Sequence, residues 1–89
     1  VIFTEAKIHS CNFSSLVIEN TEFIDCELDK SDFSNTEFEN CTFENIDFTT
    51  SNITGANFNL ASLNNVSITN EQLQSIVIDE TRKVEFIIV

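Results

Sequence analysis

An apolar residue stands at every fifth position from Phe3 to Ile78 without a gap. The series reads Phe3, Ile8, Phe13, Ile18, Phe23, Leu28, Phe33, Phe38, Phe43, Phe48, Ile53, Phe58, Leu63, Ile68, Leu73, Ile78, and it holds every phenylalanine except Phe86. The positions around it are mostly polar, so the chain is an internal five-residue repeat, which takes precedence over local propensity. An α-helix turns about 100° per residue, and five steps carry a side chain around the axis rather than along one stripe. A flat strand would send successive members of the series to opposite faces. The chain must therefore turn once in each unit. Short extended segments joined by regular corners satisfy this, and their path winds into a coil with a continuous interior.

A second series supports the coil. Two positions before the central residues stand Val1, Ala6, Cys11, Leu16, Thr21, Cys26, Ser31, Thr36, Cys41, Ile46, Ser51, Ala56, Ala61 and Val66, none charged and most small. Residues two apart share a face of an extended segment, so this series is predicted to point inward beside the large one. Large and small side chains then alternate through the interior, as close packing requires. Two positions after the central residue stand Asn20, Asp25, Asn35, Asn40, Asn45, Gly55 and Asn65. These residue types tolerate positive φ best, and the corners are predicted there.

With these series in view, the chain resembles the pentapeptide-repeat family, whose unit is a small residue, Asp or Asn, Leu or Phe, then two variable residues. Ala56-Asn57-Phe58-Asn59-Leu60 and Ser31-Asp32-Phe33-Ser34-Asn35 match it almost residue for residue, and the resemblance spans roughly residues 1–80. It implies an all-β fold: a right-handed β-helix of square cross-section, with four units per coil and about four coils. At the usual inter-strand spacing such a stack is roughly 20 Å tall. The division expected is a β-helix over residues 1–68, followed by a capping helix and extended tail over 69–89.

Eighty-nine residues make one domain at most. The formal net charge of −11, with four Lys and Arg, argues against direct nucleic-acid binding and against docking on an anionic membrane. It favours a protein partner that is basic or that itself binds DNA. Cys11, Cys26 and Cys41 all occupy the small inner phase. With twenty residues per coil they fall on different faces, so they are expected to be small interior filler rather than a disulfide or metal set. Unpaired thiols fit a reducing compartment. With no signal peptide, transit peptide or transmembrane stretch visible, a cytoplasmic location is expected. The repeat is already in phase at Val1, and a fragment or processed chain is expected.

Residues 19–47 form an acidic band, in which Glu19, Glu22, Asp25, Glu27, Asp29, Asp32, Glu37, Glu39, Glu44 and Asp47 are opposed only by Lys30. A twenty-residue coil would stack Glu19 near Glu39 and Glu27 near Asp47. All of these except Asp25 make up the candidate partner surface. The lone His9 has no partner at ligand or catalytic spacing and is expected to face solvent. Residues 48–70 carry no charge and are rich in Asn, whose side chains can hydrogen-bond along a β stack. Thr69-Asn70-Glu71-Gln72 reads as a capping box, with Ile68 and Leu73 placed as a hydrophobic staple, so a short helix is predicted from about Asn70 to Ile76. The apolar stretch Val84 to Val89 suits a strand packed on the cap, a homodimer contact, or the start of a further element.

The chain contains no Gly-rich phosphate loop, no zinc spacing, no Ser-His-Asp set and no acid pair in a cleft. Neither an enzyme nor a cofactor site is expected. Two functional readings follow. The first is an interaction or scaffold module presenting an acidic solenoid surface. The alternative is a DNA mimic: some members of the resembled family occupy the DNA-binding surface of DNA gyrase.

Overall fold

Residues twenty apart lie side by side along almost the whole chain. A computed structural model describes all residues 1–89, with six strands in one parallel sheet. They are β1 (Ile2–Thr4), β2 (Val17–Glu19), β3 (Glu22–Ile24), β4 (Glu37–Asp47), β5 (Asn57–Ile68) and β6 (Phe86–Ile88). A helix, α1 (Asn70–Ser75), and a 3-10 helix (Glu80–Glu85) separate β5 from β6. The register advances by twenty residues, four repeats, at each step: Phe3 pairs with Phe23, Phe23 with Phe43, and Phe43 with Leu63. Isolated bridges from Lys7 to Glu27, Asn12 to Asp32 and Asp32 to Asn52 keep the same offset between the strands. The molecule is thus a solenoid rather than a sandwich or an open sheet.

The corners follow the sequence. Every one of the seven predicted corner residues has positive φ, and Glu5, Ser10, Ser15 and Lys30, at the same phase, have it too. Asn and Gly accept this conformation readily; the others are held there by the pairing on either side. Thr50 and Leu60 share the phase but do not have positive φ. At Leu60 the pairing shifts locally, Glu39 aligning with Leu60 instead of its twenty-residue partner before register is recovered at Cys41 and Ala61. A bulky side chain resists the left-handed region, and the backbone adjusts around it.

Inside, the central series packs as columns. Phe13 stacks on Phe33 with ring centroids 5.0 Å apart, and Phe38 lies 5.1 Å from Phe58. Leu28, Phe33, Phe43, Phe48 and Phe58 are fully buried. In the first turn each inner residue has a neighbour on one side only, so Phe3 is 38% exposed and Ile8, Phe13 and Ile18 are half-buried.

The small inner series also bonds. Its Sγ or Oγ atoms donate to the carbonyl of the central residue one turn earlier: Cys26 to Phe3, Ser31 to Ile8, Thr36 to Phe13, Cys41 to Ile18 and Ser51 to Leu28. The cysteines are therefore weak donors in a Ser/Thr role as well as filler. On the outside, Asn40 donates to Asn20, Asn65 to Asn45 and Asn45 to Asp25, each at 2.6–2.7 Å, forming ladders along two lines of corners.

The capping box at Thr69 is complete. Thr69 Oγ1 accepts from the Gln72 amide, and Gln72 Oε1 accepts from the Thr69 amide. Gln72 Nε2 then donates to the Phe48 and Ser51 carbonyls, fastening α1 to the turn before it. Arg82 does the same for the next stretch, its guanidinium donating to the carbonyls of Phe58, Asn59 and Ala61 while held by Glu85. Residues 69–89 do not leave the repeat altogether. Asn57 bridges to Val77, and Val66, Ser67 and Ile68 pair with Phe86, Ile87 and Ile88. Within the apolar tail, Phe86–Ile88 is a strand paired with β5, so it extends the sheet rather than packing on the cap.

Candidate functional site

The candidate acidic residues lie on the outside of the solenoid, distributed over successive five-residue segments. Glu22 and Glu44 flank the Phe23–Phe43 register pair in β3 and β4. Glu27, Asp29 and Asp47 belong to the next segments along the chain, and Asp32 to the one after. Glu19, Glu37 and Glu39 fall in the stack of residues 16–20 and 36–40. Glu19, Glu27, Glu37 and Asp47 are exposed, and Glu22, Asp29, Asp32, Glu39 and Glu44 are half-buried. Glu19 and Glu39 are register partners, so the structure brings that expected pair together. It does not gather the nine carboxylates into one cluster.

Asp32 is hydrogen-bonded to its neighbour Ser34. The hydroxyl and amide of Ser34 hold its carboxyl below the ordinary aspartate range. Asn12 with Ser14, and Asn52 with Thr54, make the same side-chain-to-amide turn along that line, which identifies the geometry as a repeated corner brace.

His9 faces solvent, as expected, and its ring also meets two carboxylates of the following turn. Its Nε2 lies 3.2 Å from Glu27 Oε2 and 3.9 Å from Asp29 Oδ2, because the twenty-residue register sets the two turns side by side. All three side chains are about half exposed, so the pairing is worth little in stability. No group of three or more His, Cys, Asp or Glu side chains converges as a metal site. Cys11 is exposed and Cys26 and Cys41 are buried; burial pushes the Cys41 thiol pKa up.

The lateral surface has two adjoining depressions. One, of about 350 Å³, is lined by Glu19, Asn20, Glu39, Asn40 and Leu60. The other, of about 120 Å³, is lined by Glu37, Phe38, Glu39, Asn57 and Leu60. They meet at Glu39 and Leu60, where the register shifts. Leu60 joins the acidic residues only through the local shift that sets it opposite Glu39. A third depression, of about 310 Å³ and almost wholly apolar, opens at the first turn between Phe3, Ile8, Phe13 and Ile18.

A family model described as a pentapeptide repeat region matches residues 1–75, the whole of the five-residue series up to the end of α1. The chain belongs to the pentapeptide-repeat family. No curated protein matches it. As a pentapeptide-repeat protein it presents its chemistry on a convex parallel sheet, with small and central inner residues consumed by packing. What remains free to act is the set of outer residues of each repeat. No helix is long and apolar enough to cross a membrane.

Proposed function

We propose that this pentapeptide-repeat chain is a non-enzymatic interaction module that displays an acidic exterior to a basic or DNA-binding protein. The solenoid is a right-handed quadrilateral β-helix of about four coils over residues 1–68, with residues 69–89 as its cap. The observation that carries the reading is the placement of charge. Glu19, Glu22, Glu27, Glu37, Glu39, Glu44 and Asp47 stand outside a fully packed interior, while Arg82 and Lys83 are already engaged by Glu85 and Glu80. Stacked turns fix the backbone positions of these carboxylates, so little backbone ordering is needed when a partner binds. A cytoplasmic setting and a homodimer through the C-terminal segment belong to the same proposal, the latter resting on exposed Val84, Ile87, Ile88 and Val89.

The test is binding to a panel of DNA-binding proteins, including DNA gyrase, with the wild type and the fourfold variant Glu19→Lys, Glu27→Lys, Glu39→Lys, Asp47→Lys. Charge-steered association has an on-rate that falls steeply with salt. At least one partner should show that behaviour and be lost in the variant. Binding that ignores both salt and charge reversal, or none across the panel, would overturn the acidic reading.

DNA mimicry toward gyrase is the second reading, favoured by the Glu19–Glu39 stack. The longest dimension of the molecule is 29 Å, short beside a duplex site, which ranks it below the general reading. Wild-type protein at micromolar concentration should inhibit gyrase supercoiling if it holds; no effect would remove it.

A further inference from the structure

The lateral surface is not uniform. Leu60 and Val77 are 66% and 45% exposed, and Val17, in the first turn, is 51% exposed. All three lie in the stack formed by residues 16–20, 36–40, 56–60 and 76–80. Val17 pairs with Glu37, Glu37 with Asn57, and Asn57 with Val77, which makes them one line of the sheet. The next line carries Glu19, Glu39 and, through the local shift, Leu60. Both lateral depressions lie here and nowhere else on the sides of the solenoid. No Lys, Arg or His belongs to this stack, whereas the one containing residues 6–10 and 26–30 carries Lys7, His9 and Lys30.

We infer that this stack is the docking surface, and that its occupant is a protein segment in which arginine alternates with large apolar side chains. The inference rests on the acidic-module reading and names where and how it operates. Charge complementarity selects the arginine. Adjacent turns set the Glu19 and Glu39 backbones at roughly the 4.8 Å spacing of paired strands, close enough for both side chains to reach the two arms of one guanidinium. Leu60, at the lip of both depressions, offers the apolar contact for the large side chain next to that arginine. Val77 and Val17 offer apolar contact further along the same line. A lysine supplies one point charge and no fork, so arginine is preferred.

The experiment uses the full chain, isotopically labelled, and three short synthetic peptides: arginine alternating with leucine, arginine alternating with serine, and glutamate alternating with leucine. The arginine–leucine peptide should bind about tenfold more tightly than the arginine–serine peptide, as expected for one buried apolar anchor. Its amide shifts should be confined to residues 17–20, 37–40, 57–60 and 76–79. The glutamate–leucine peptide should not bind. Leu60→Ser should erase the tenfold preference while leaving the arginine–serine affinity in place. Leu60→Asn, which puts here the residue type found at Asn20 and Asn40, is the second variant and should behave the same way. Glu39→Gln should weaken both arginine peptides. Equal affinity of the two arginine peptides, or shifts that map to residues 27–30 and 47–50, would overturn this surface and leave the acidic-module reading standing. Failure of both arginine peptides to bind would overturn the two together.

Discussion

Phe23 and Phe43 are register partners whose rings stack 5.3 Å apart and 6° from parallel. Phe43 also meets Phe38, Phe48 and Phe58 edge-on, at centroid distances of 4.9, 5.3 and 5.8 Å. One ring therefore closes contacts both along its column and across the interior. Truncating it leaves a cavity that parallel neighbours on fixed rungs cannot collapse to fill. Phe43→Ala should cost about 3–5 kcal/mol, measured by denaturant unfolding. A loss below about 1 kcal/mol would mean that the interior relaxes around the gap.

The cap yields a sharper comparison. Thr69→Ala removes one side-chain acceptor and should cost about 1 kcal/mol. Gln72→Glu keeps the acceptor facing the Thr69 amide but loses both donations to Phe48 and Ser51, turning a carboxylate toward two carbonyls. It should be the more destabilising of the two, by about 1–3 kcal/mol. Thermal unfolding by circular dichroism decides the order. If Thr69→Ala is the worse, α1 is held by its own cap rather than by its bonds to the preceding turn.

Much of this was legible in the sequence because period five leaves few solutions. The central series, the small inner series and the αL corners at Asn20, Asn35 and Asn45 each followed from spacing and residue chemistry. So did the capping box, a purely local signal. What escaped was set by contacts twenty or more residues apart. His9 meets Glu27 only through register. Arg82 caps Phe58, Asn59 and Ala61 because the chain returns there, and nothing around Arg82 in sequence announces it. Phe86 was the phenylalanine outside the central series, yet it is buried 5.5 Å from Phe58 in the small-residue phase, under the last turn where room for a large side chain remains. The docking stack was half legible: its carboxylates were named, but the partnership of Leu60 with Glu39 depends on a one-residue shift that no periodicity contains.

The thiols should separate by access. Cys11 is exposed, while Cys26 and Cys41 are buried with their Sγ atoms on the Phe3 and Ile18 carbonyls. In native protein one thiol should react quickly with a disulfide reagent and two slowly; under denaturant all three should react alike. Burial raises the Cys41 pKa, which further lowers its thiolate fraction at neutral pH. Mass mapping that found Cys41 modified as fast as Cys11 would contradict the packed interior.

Asp79 caps the 3-10 helix, accepting from the amide and hydroxyl of Thr81, and these bonds hold its carboxyl below the ordinary aspartate range. A carboxyl with a depressed folded pKa contributes stability above its unfolded pKa of about 3.9 and loses it as pH falls through the folded value. Protonating the other carboxylates relieves self-repulsion and acts the opposite way, so the useful quantity is a difference. The Tm gap between wild type and Asp79→Ala should be present at pH 7 and shrink as pH falls below about 4. A gap independent of pH would assign the effect to helix shape alone.

Val66 to Phe86 and Asn57 to Val77 are both steps of twenty, although α1 and the 3-10 helix intervene in the first and α1 in the second. The end piece is thus threaded like a nut cut to the pitch of its screw. Gln72 and Arg82 reach their carbonyls only when the preceding chain has completed a whole number of revolutions. Lengthening or shortening this protein ahead of the cap is then quantised. Twenty residues, added or removed as one block, return every cap donor to an equivalent carbonyl, whereas five would present the same donors to a different side.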